Sequence, residues 1–171
     1  LDNLIAASVF ADGSAGVLVS QQKPSKTSYE VHGFASSLTP NGEKDMAWNI
    51  GDHGFDMILS TYIPEIIEAN LKEVIQPLFD NYNLKHSDID FWALHPGGRA
   101  IIDKIESSLH LTEQQVAASR KILANYGNMS SVTVLFVLNE LMKSSPKVGS
   151  KVLPMAFGPG LTIESGLLSV V

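Results

Sequence analysis

The chain has 171 residues with a formal net charge of −6, and 44% of its residues are hydrophobic and 18% charged. That composition is typical of one soluble globular domain and differs from that of disordered or fibrous chains. An acidic chain without a cluster of Lys and Arg is a poor binder of nucleic acid, so we expect no nucleic-acid partner.

Cysteine is absent from the sequence, which excludes disulfides, thiolate metal sites and a cysteine nucleophile within these residues. The apolar run Val132–Leu138 is far shorter than the roughly 20 residues that span a bilayer, and nothing resembles a signal peptide. We therefore expect no membrane partner and take the cytoplasm as the default location. The chain begins at Leu1 rather than Met, which leads us to expect further sequence upstream.

The first half of the chain alternates apolar stretches with turn signals. Asp2–Phe10 are interpreted as the end of a helix, and Ala15–Ser20 predict a short buried strand. Tyr29–Ser36 and Trp48–Leu59 each predict a further strand. Tyr62–Tyr82 show the longest helical pattern, with apolar residues on one face.

The second half begins with the apolar strand Ile89–Leu94. Three helices and two strands then follow, over Arg99–Leu109, Glu113–Tyr126, Ser131–Lys143, Lys151–Phe157 and Leu161–Val170. Thr112 is placed to cap the second helix and Gly127 to end it, and the third helix is apolar enough to be buried on most sides. Strands separated by helices and closing on a strand pair predict an α/β layered domain.

His95 directly follows a predicted strand and precedes Pro96-Gly97-Gly98. Ligands of α/β sheets bind outside the carboxyl ends of the strands, and glycines let the backbone approach a ligand closely. The position suits a catalytic histidine, but position alone more often indicates a turn histidine of no chemical role, and both interpretations stay open at this point. The remaining histidines lie in polar surroundings and are interpreted as surface residues: His32, His53, His86 and His110.

Asn128 lies between two predicted helices, and its amide offers two donors suited to a developing oxyanion. Taken in isolation, however, Asn128 is more typical of a plain turn residue or N-cap. Asn128-Met129-Ser130 also matches the glycosylation sequon, which we interpret as accidental in the absence of a secretory signal. The acidic pair Asp88 and Asp90 is more typical of a solvated turn than of a metal site.

Three motifs, in their order and spacing, resemble one family. They are Phe91-Trp92-Ala93-Leu94-His95-Pro96-Gly97-Gly98, Tyr126–Ser131 and Ala156-Phe157-Gly158-Pro159-Gly160-Leu161-Thr162. The chalcone and stilbene synthases and their bacterial type III polyketide synthase relatives carry similar blocks. The opening Leu1-Asp2-Asn3-Leu4 and Phe10-Ala11-Asp12-Gly13 resemble the segment downstream of that family's nucleophile.

The resemblance implies an α/β, thiolase-like fold with a mixed sheet layered by helices, of which residues 1–171 form the C-terminal half as a single domain. The N-terminal half, with the nucleophilic cysteine, would lie outside this sequence. His95 and Asn128 match the other two members of the family's catalytic set. We therefore expect partnership with the N-terminal half of the same enzyme.

The chemistry that the resemblance implies is acyl transfer between acyl-CoA and malonyl-CoA, with no bound cofactor. A cysteine thiolate, kept ionised by His95, would take a starter acyl group. His95 and Asn128 would then donate to the malonyl thioester oxygen while decarboxylation leaves an enolate. Without the cysteine, we expect this chain alone to be inactive.

The resemblance also assigns substrate-binding positions, at Ser130, Phe157, Gly158 and Pro159 in the cavity wall and at Ala100 beside the pantetheine arm. Two positions depart from the plant chalcone synthases: Met57 replaces a gatekeeper Phe, and Trp48 replaces a small Gly. Both departures make chalcone itself a doubtful product.

Two alternatives stay open on the sequence. An initiating ketoacyl-acyl-carrier-protein synthase shares fold and triad, but usually shows His-Gln-Ala-Asn and Asn-Thr-Ser in place of the motifs present here. A non-catalytic acyl-CoA-binding or assembly module is the other. In every case we expect a homodimer or self-association, since a half-fold exposes apolar faces.

Overall fold

The computed structural model describes residues 7–52 and 54–171. The described strands are β1 (Tyr29–Leu38), β2 (Met46–Gly51), β3 (Gly54–Leu59), β4 (Phe91–Leu94), β5 (Lys151–Gly158) and β6 (Thr162–Val170). The described α-helices of four residues or more are α1 (Ile63–Tyr82), α2 (Arg99–Ser108), α3 (Glu113–Tyr126) and α4 (Thr133–Lys143).

Four strands form a mixed sheet in the order β1-β6-β5-β4, and β2 pairs with β3 in a separate hairpin. β5 and β6 form an antiparallel pair joined by a tight turn, whereas β4 runs parallel to β5. Parallel neighbours need a long crossover, and helices α2, α3 and α4 provide it. The predicted α/β class, with a mixed sheet layered by helices, is thereby confirmed.

Helix α1 packs against β1 and β6, and α2 packs beside α1 with its buried residues in the same core cluster, so both cover one face of the sheet. The buried residues of α1 recur every three or four positions, as its amphipathic pattern predicts: Ile63, Ile67, Leu71, Val74, Ile75, Leu78 and Phe79. They pack with sheet residues such as Trp92, Leu153 and Met155 in the larger core cluster. Each fully buried side chain of this size contributes roughly 1.5–3 kcal/mol, so this face anchors the fold.

Helices α3 and α4 cover only the β4–β5 end of the opposite face. There Ala93 and Val152 pack with Ile122 and Val137 in a second core cluster. Toward β1 the same face is open, and Phe34 is 73% exposed even though its ring lies over Gly166. A groove therefore borders the carboxyl end of β4.

Two predicted strands need correction. Ala15–Ser20 do not form a strand; they are exposed, Leu18 to 94%, because no described strand lies beside them to accept their hydrogen bonds. Trp48–Leu59 are not one strand but parts of two, β2 and β3. Gly54 has a φ of +141°, a conformation that glycine tolerates and that lets the chain reverse there.

At the N-terminal end, residues 7–9 are helical, and the rest of the helix predicted over Asp2–Phe10 lies outside the described residues. Thr112 is the N-cap residue of α3, as predicted. The side-chain bonds at this end run from Thr112 to Gln115, whose Oε1 accepts from the Thr112 backbone N–H at 3.0 Å and from its hydroxyl at 3.1 Å. Helix α4 is less buried than predicted: only one stripe, Thr133, Val137 and Leu141, is fully buried.

Among the described residues, no helix combines the length and the apolar character that crossing a membrane requires.

Candidate active site

His95 extends the sheet by one residue beyond β4. Its backbone N–H donates to the carbonyl of Met155 at 2.7 Å, which continues the parallel ladder between β4 and β5. The side chain is only 6% exposed. The sheet therefore fixes the backbone of His95 at the carboxyl end of the strand, and the residue is buried there.

Burial sets the charge of this imidazole. Nδ1 is buried and has no hydrogen-bond partner among the described residues. Desolvation lowers the pKa of His95 from 6.5 to about 4, because the charged form loses its hydration. At neutral pH His95 is uncharged and offers one N–H donor.

The backbone of Asn128 is clamped by the chain segment 9–11. Asn128 N–H donates to the carbonyl of Val9 at 2.9 Å, and Ala11 N–H donates to the carbonyl of Asn128 at 2.8 Å. Gly127 ends α3 with a φ of +73°, and a Cβ there would lie 3.1 Å from the Val9 carbonyl oxygen. A side chain at Gly127 would strain the turn and push this segment away.

Two backbone contacts fix the orientation of the Asn128 amide. Ser130 N–H donates to Oδ1 at 2.9 Å, and Nδ2 donates to the carbonyl of Gly97 at 3.2 Å. One N–H of the amide is left for a ligand. Because the side chain is 4% exposed, it is closed to a glycosyltransferase, which argues that the sequon is accidental.

His95 and Asn128 line one cavity of about 300 Å³. Six of the other residues predicted for substrate binding line it as well: Trp48, Met57, Ser130, Phe157, Gly158 and Pro159. Ala100 does not; it lies exposed in the first turn of α2. The structure thus brings together the two polar groups and the predicted cavity wall, while Ala100, which the resemblance places beside a pantetheine arm, does not line the cavity.

The β2–β3 hairpin presents an apolar face to this cavity. Trp48 is the direct cross-strand neighbour of Met57, and its ring meets Phe55 edge-on at 6.1 Å. The remaining members of the face alternate along the two strands, at Met46, Ile50 and Leu59. Trp48 remains 53% exposed, so its indole stands at the cavity wall and not in the core.

Six further cavity residues were missed by the sequence analysis: Phe10, Met46, Ser131, Ala156, Thr162 and Glu164. Glu164 is the charged member, and its Oε1 accepts from the Ser36 hydroxyl at 2.6 Å. The alternation of side chains along a strand could have indicated Thr162 and Glu164, because alternate residues of one strand share a face. Phe10 gave no such signal.

The other histidines need one correction. His32 and His110 are exposed, as predicted, and His53 lies outside the described residues. His86 is half-buried, with its ring 4.9 Å from that of Trp92. Burial, together with the charge of His110, lowers the pKa of His86.

Within residues 7–52 and 54–171, no three His, Asp or Glu side chains cluster closely enough to hold a metal ion. The two carboxylates that precede β4 instead accept backbone hydrogen bonds: Asp88 from Lys85 N–H and Asp90 from Lys151 N–H, both at 2.8 Å. They act as turn and strand-end acceptors.

Two comparisons with known proteins agree with this geometry. Residues 30–171 match the family model for the C-terminal domain of chalcone and stilbene synthases. The structure is similar to the crystal structure of PKS-I from the brown alga Ectocarpus siliculosus, with a TM-score of 0.84 and 28% sequence identity. The match covers 99% of this chain and 48% of that chain, so the present residues span about half of that structure.

Proposed function

This chain belongs to the chalcone and stilbene synthase family, and from that premise we propose that it is the His- and Asn-bearing part of an acyltransferase. The reaction is the decarboxylative Claisen condensation of a starter acyl-CoA with malonyl-CoA, which makes a polyketide. One observation carries the proposal: His95 and Asn128 reach the same cavity from separate loops, each with one N–H free to donate.

The two donors suit the charge that develops in this reaction. When the malonyl carboxylate leaves as CO₂, its bonding electrons form an enolate whose charge rests on the thioester oxygen. Donors from neutral His95 and from Asn128 stabilise that oxygen, each by roughly 3–4 kcal/mol. The enolate carbon then attacks the acyl thioester held on cysteine, the new carbon–carbon bond forms, and the thiolate leaves.

The thiolate must come from outside these residues, because the sequence contains no cysteine. We assign it to the N-terminal half of the same enzyme. A thiolate beside His95 would raise the imidazole pKa from about 4, since a nearby anion favours the charged form. One residue would then serve as ion-pair partner before acylation and as neutral donor afterwards. Acyl-CoA and malonyl-CoA enter as substrates, with no resident cofactor.

The missing nucleophile also supports a second candidate, a non-catalytic acyl-CoA-binding or assembly module. The two candidates differ in the full-length protein: the enzyme requires a cysteine that meets His95, and the binding module does not. The motif around Asn128 argues against the initiating ketoacyl-acyl-carrier-protein synthase, which usually carries Asn-Thr-Ser there.

The test measures malonyl-CoA decarboxylation by the full-length protein. His95→Gln and Asn128→Ala should each lower the rate at least about tenfold, because each removes an oxyanion donor. Matched controls are His32→Gln and Asn139→Ala, which change the same residue types at exposed positions outside the cavity. Control rates should equal the wild-type rate.

Unchanged decarboxylation in both site variants, with wild-type turnover intact, would contradict the proposed mechanism. A full-length protein that binds malonyl-CoA without decarboxylating it would instead favour the binding module.

A further inference from the structure

We propose that Gly97 is a positioning residue of this site, which aligns the amide of Asn128 and keeps the approach to His95 Nε2 open. The inference rests on the proposed function for the identity of the ligand, the malonyl thioester oxygen. The motif does not distinguish Gly97 from its neighbour Gly98, but the structure does.

The first contribution comes from the backbone of Gly97. Its carbonyl accepts from Asn128 Nδ2 at 3.2 Å, and its N–H donates to the carbonyl of His95 at 3.0 Å. One residue is therefore bonded to both donor-bearing residues. Because Ser130 N–H occupies Oδ1 at 2.9 Å, the contact with Gly97 determines where the free N–H of the amide points.

The second contribution is the absent side chain. A Cβ on Gly97 would lie 3.5 Å from both Nε2 and Cδ2 of His95. That is ordinary van der Waals contact, so a methyl group would occupy part of the shell from which an oxygen must approach Nε2. Nδ1 offers no substitute, since it is buried without a partner among the described residues.

The backbone itself does not demand glycine at Gly97. The described glycines with a left-handed φ are Gly42, Gly54, Gly127, Gly149 and Gly160. Alanine therefore fits the main chain at Gly97. Its one tight contact would be with Ile101 Cδ1 at 3.0 Å, the end of a side chain that can shift.

Gly98 provides a matched control in the next position. A Cβ there would have no atom within 4 Å, and the residue is extended with a φ of −179°. Gly97→Ala and Gly98→Ala make the same chemical change at adjacent residues. They differ in whether the new methyl group touches His95.

The first experiment reads the steric effect without any catalytic assay. The full-length protein is treated with diethyl pyrocarbonate, and carbethoxylation of His95 is followed by peptide mass spectrometry. We expect His95 to react in the wild type and in Gly98→Ala, and to react at least about fivefold more slowly in Gly97→Ala, because the methyl fills the approach. Equal rates in the two alanine variants, or an unreactive wild-type His95, would overturn the proposal.

The second experiment measures malonyl-CoA decarboxylation. Gly97→Ala should lower kcat at least about tenfold with a smaller change in KM, because it perturbs the reacting oxygen and leaves the rest of the substrate contacts intact. Gly98→Ala should keep wild-type kcat. The double variant Gly97→Ala/Ile101→Val relieves the contact with Ile101 and should stay slow; recovery of kcat would show that only packing was disturbed and would overturn the proposal.

The two experiments can contradict the proposed function and the role of Gly97 independently of each other. A wild-type protein without decarboxylation would contradict the proposed function, while the carbethoxylation rates would still decide the role of Gly97. If the wild type decarboxylates malonyl-CoA and His95 reacts at the same rate in all variants, the proposed role of Gly97 is contradicted and the proposed function is not.

Discussion

At the residue scale, the cavity, and not desolvation, distinguishes His95 from His86. His95 and His86 both have a lowered pKa, in each case chiefly through desolvation. His95 lines the cavity, whereas His86 stacks on Trp92 beneath the sheet. A low pKa alone therefore does not single out His95; its place in the cavity does.

The buried imidazole should make stability depend on pH. His95 has a pKa of about 4 in the folded chain against 6.5 for an exposed histidine, so between these values the unfolded chain binds the proton more readily. Its contribution is fully present above about pH 6.5 and is lost as the pH falls toward 4. From pH 7 to pH 5 the wild type should lose about 2 kcal/mol more free energy of unfolding than His95→Gln.

Urea denaturation of this chain and of the variant at both pH values measures the difference. His86, whose pKa is lowered in both proteins, and the carboxylates contribute equally to the pH dependence of the wild type and the variant. Their contributions therefore cancel in the difference. Parallel pH dependence in the wild type and His95→Gln would contradict the buried, neutral state.

At the element scale, the β2–β3 hairpin determines how much room the cavity has. Trp48 and Met57 face each other across the two strands on its apolar face, while Asn49 and Asp56 pair on the opposite face. The hairpin forms its own two-stranded sheet, apart from the main sheet. Its side chains can change the cavity without altering the strand that carries His95.

We expect Trp48→Gly in the full-length protein to broaden the range of starter acyl groups or to lengthen the products. Removing the indole frees roughly 100 Å³ or more at the cavity wall. Product analysis by liquid chromatography and mass spectrometry, over a series of acyl-CoA starters, measures the change.

Asn49→Gly is the control for this variant, since it places glycine in the same strand with its missing side chain on the face away from the cavity. It carries the same backbone cost of a glycine in the strand and should leave the products unchanged. If Trp48→Gly and Asn49→Gly give the same profile, Trp48 does not limit the substrate.

At the scale of the whole molecule, the sheet is covered on one face and only partly on the other. Large apolar side chains stay exposed on β1, on the hairpin and in the segment before β1. They include Phe34, Leu38, Ile50, Phe55 and Leu18, each more than 60% exposed. Apolar surface of this extent usually has a partner. The N-terminal half is the partner that we propose in the enzyme.

We therefore expect the isolated 171-residue chain to fold, to be catalytically silent and to self-associate. Light scattering at micromolar concentration should report a mass above the 18.5 kDa of one chain. Leu38→Lys should weaken the association by placing a charge on the open face. Val148→Lys, at an apolar residue that is 64% exposed on the loop before β5, should not.

A monodisperse monomer that also binds no hydrophobic dye would contradict the expected self-association through these apolar surfaces.

The sequence alone determined the features that local interactions specify. The amphipathic helix α1, the Thr112 cap and the order of strand, helices and strand pair follow from patterns within a few residues. Residue identity and order in three motifs were enough to indicate the family and to single out His95 and Asn128. The position of His95 at a strand end could be read directly from the apolar run before it.

Only the tertiary structure decided what depends on contacts between distant parts of the chain. Ala15–Ser20 have strand-like composition, but a strand needs a neighbour for its hydrogen bonds, and the described residues supply none. Phe10 enters the cavity because segment 9–11 clamps Asn128, a pairing that no local pattern encodes. The distinction between Gly97 and Gly98 has the same cause: adjacent glycines look alike in sequence, and only packing decides that a side chain at one would meet His95 and at the other nothing.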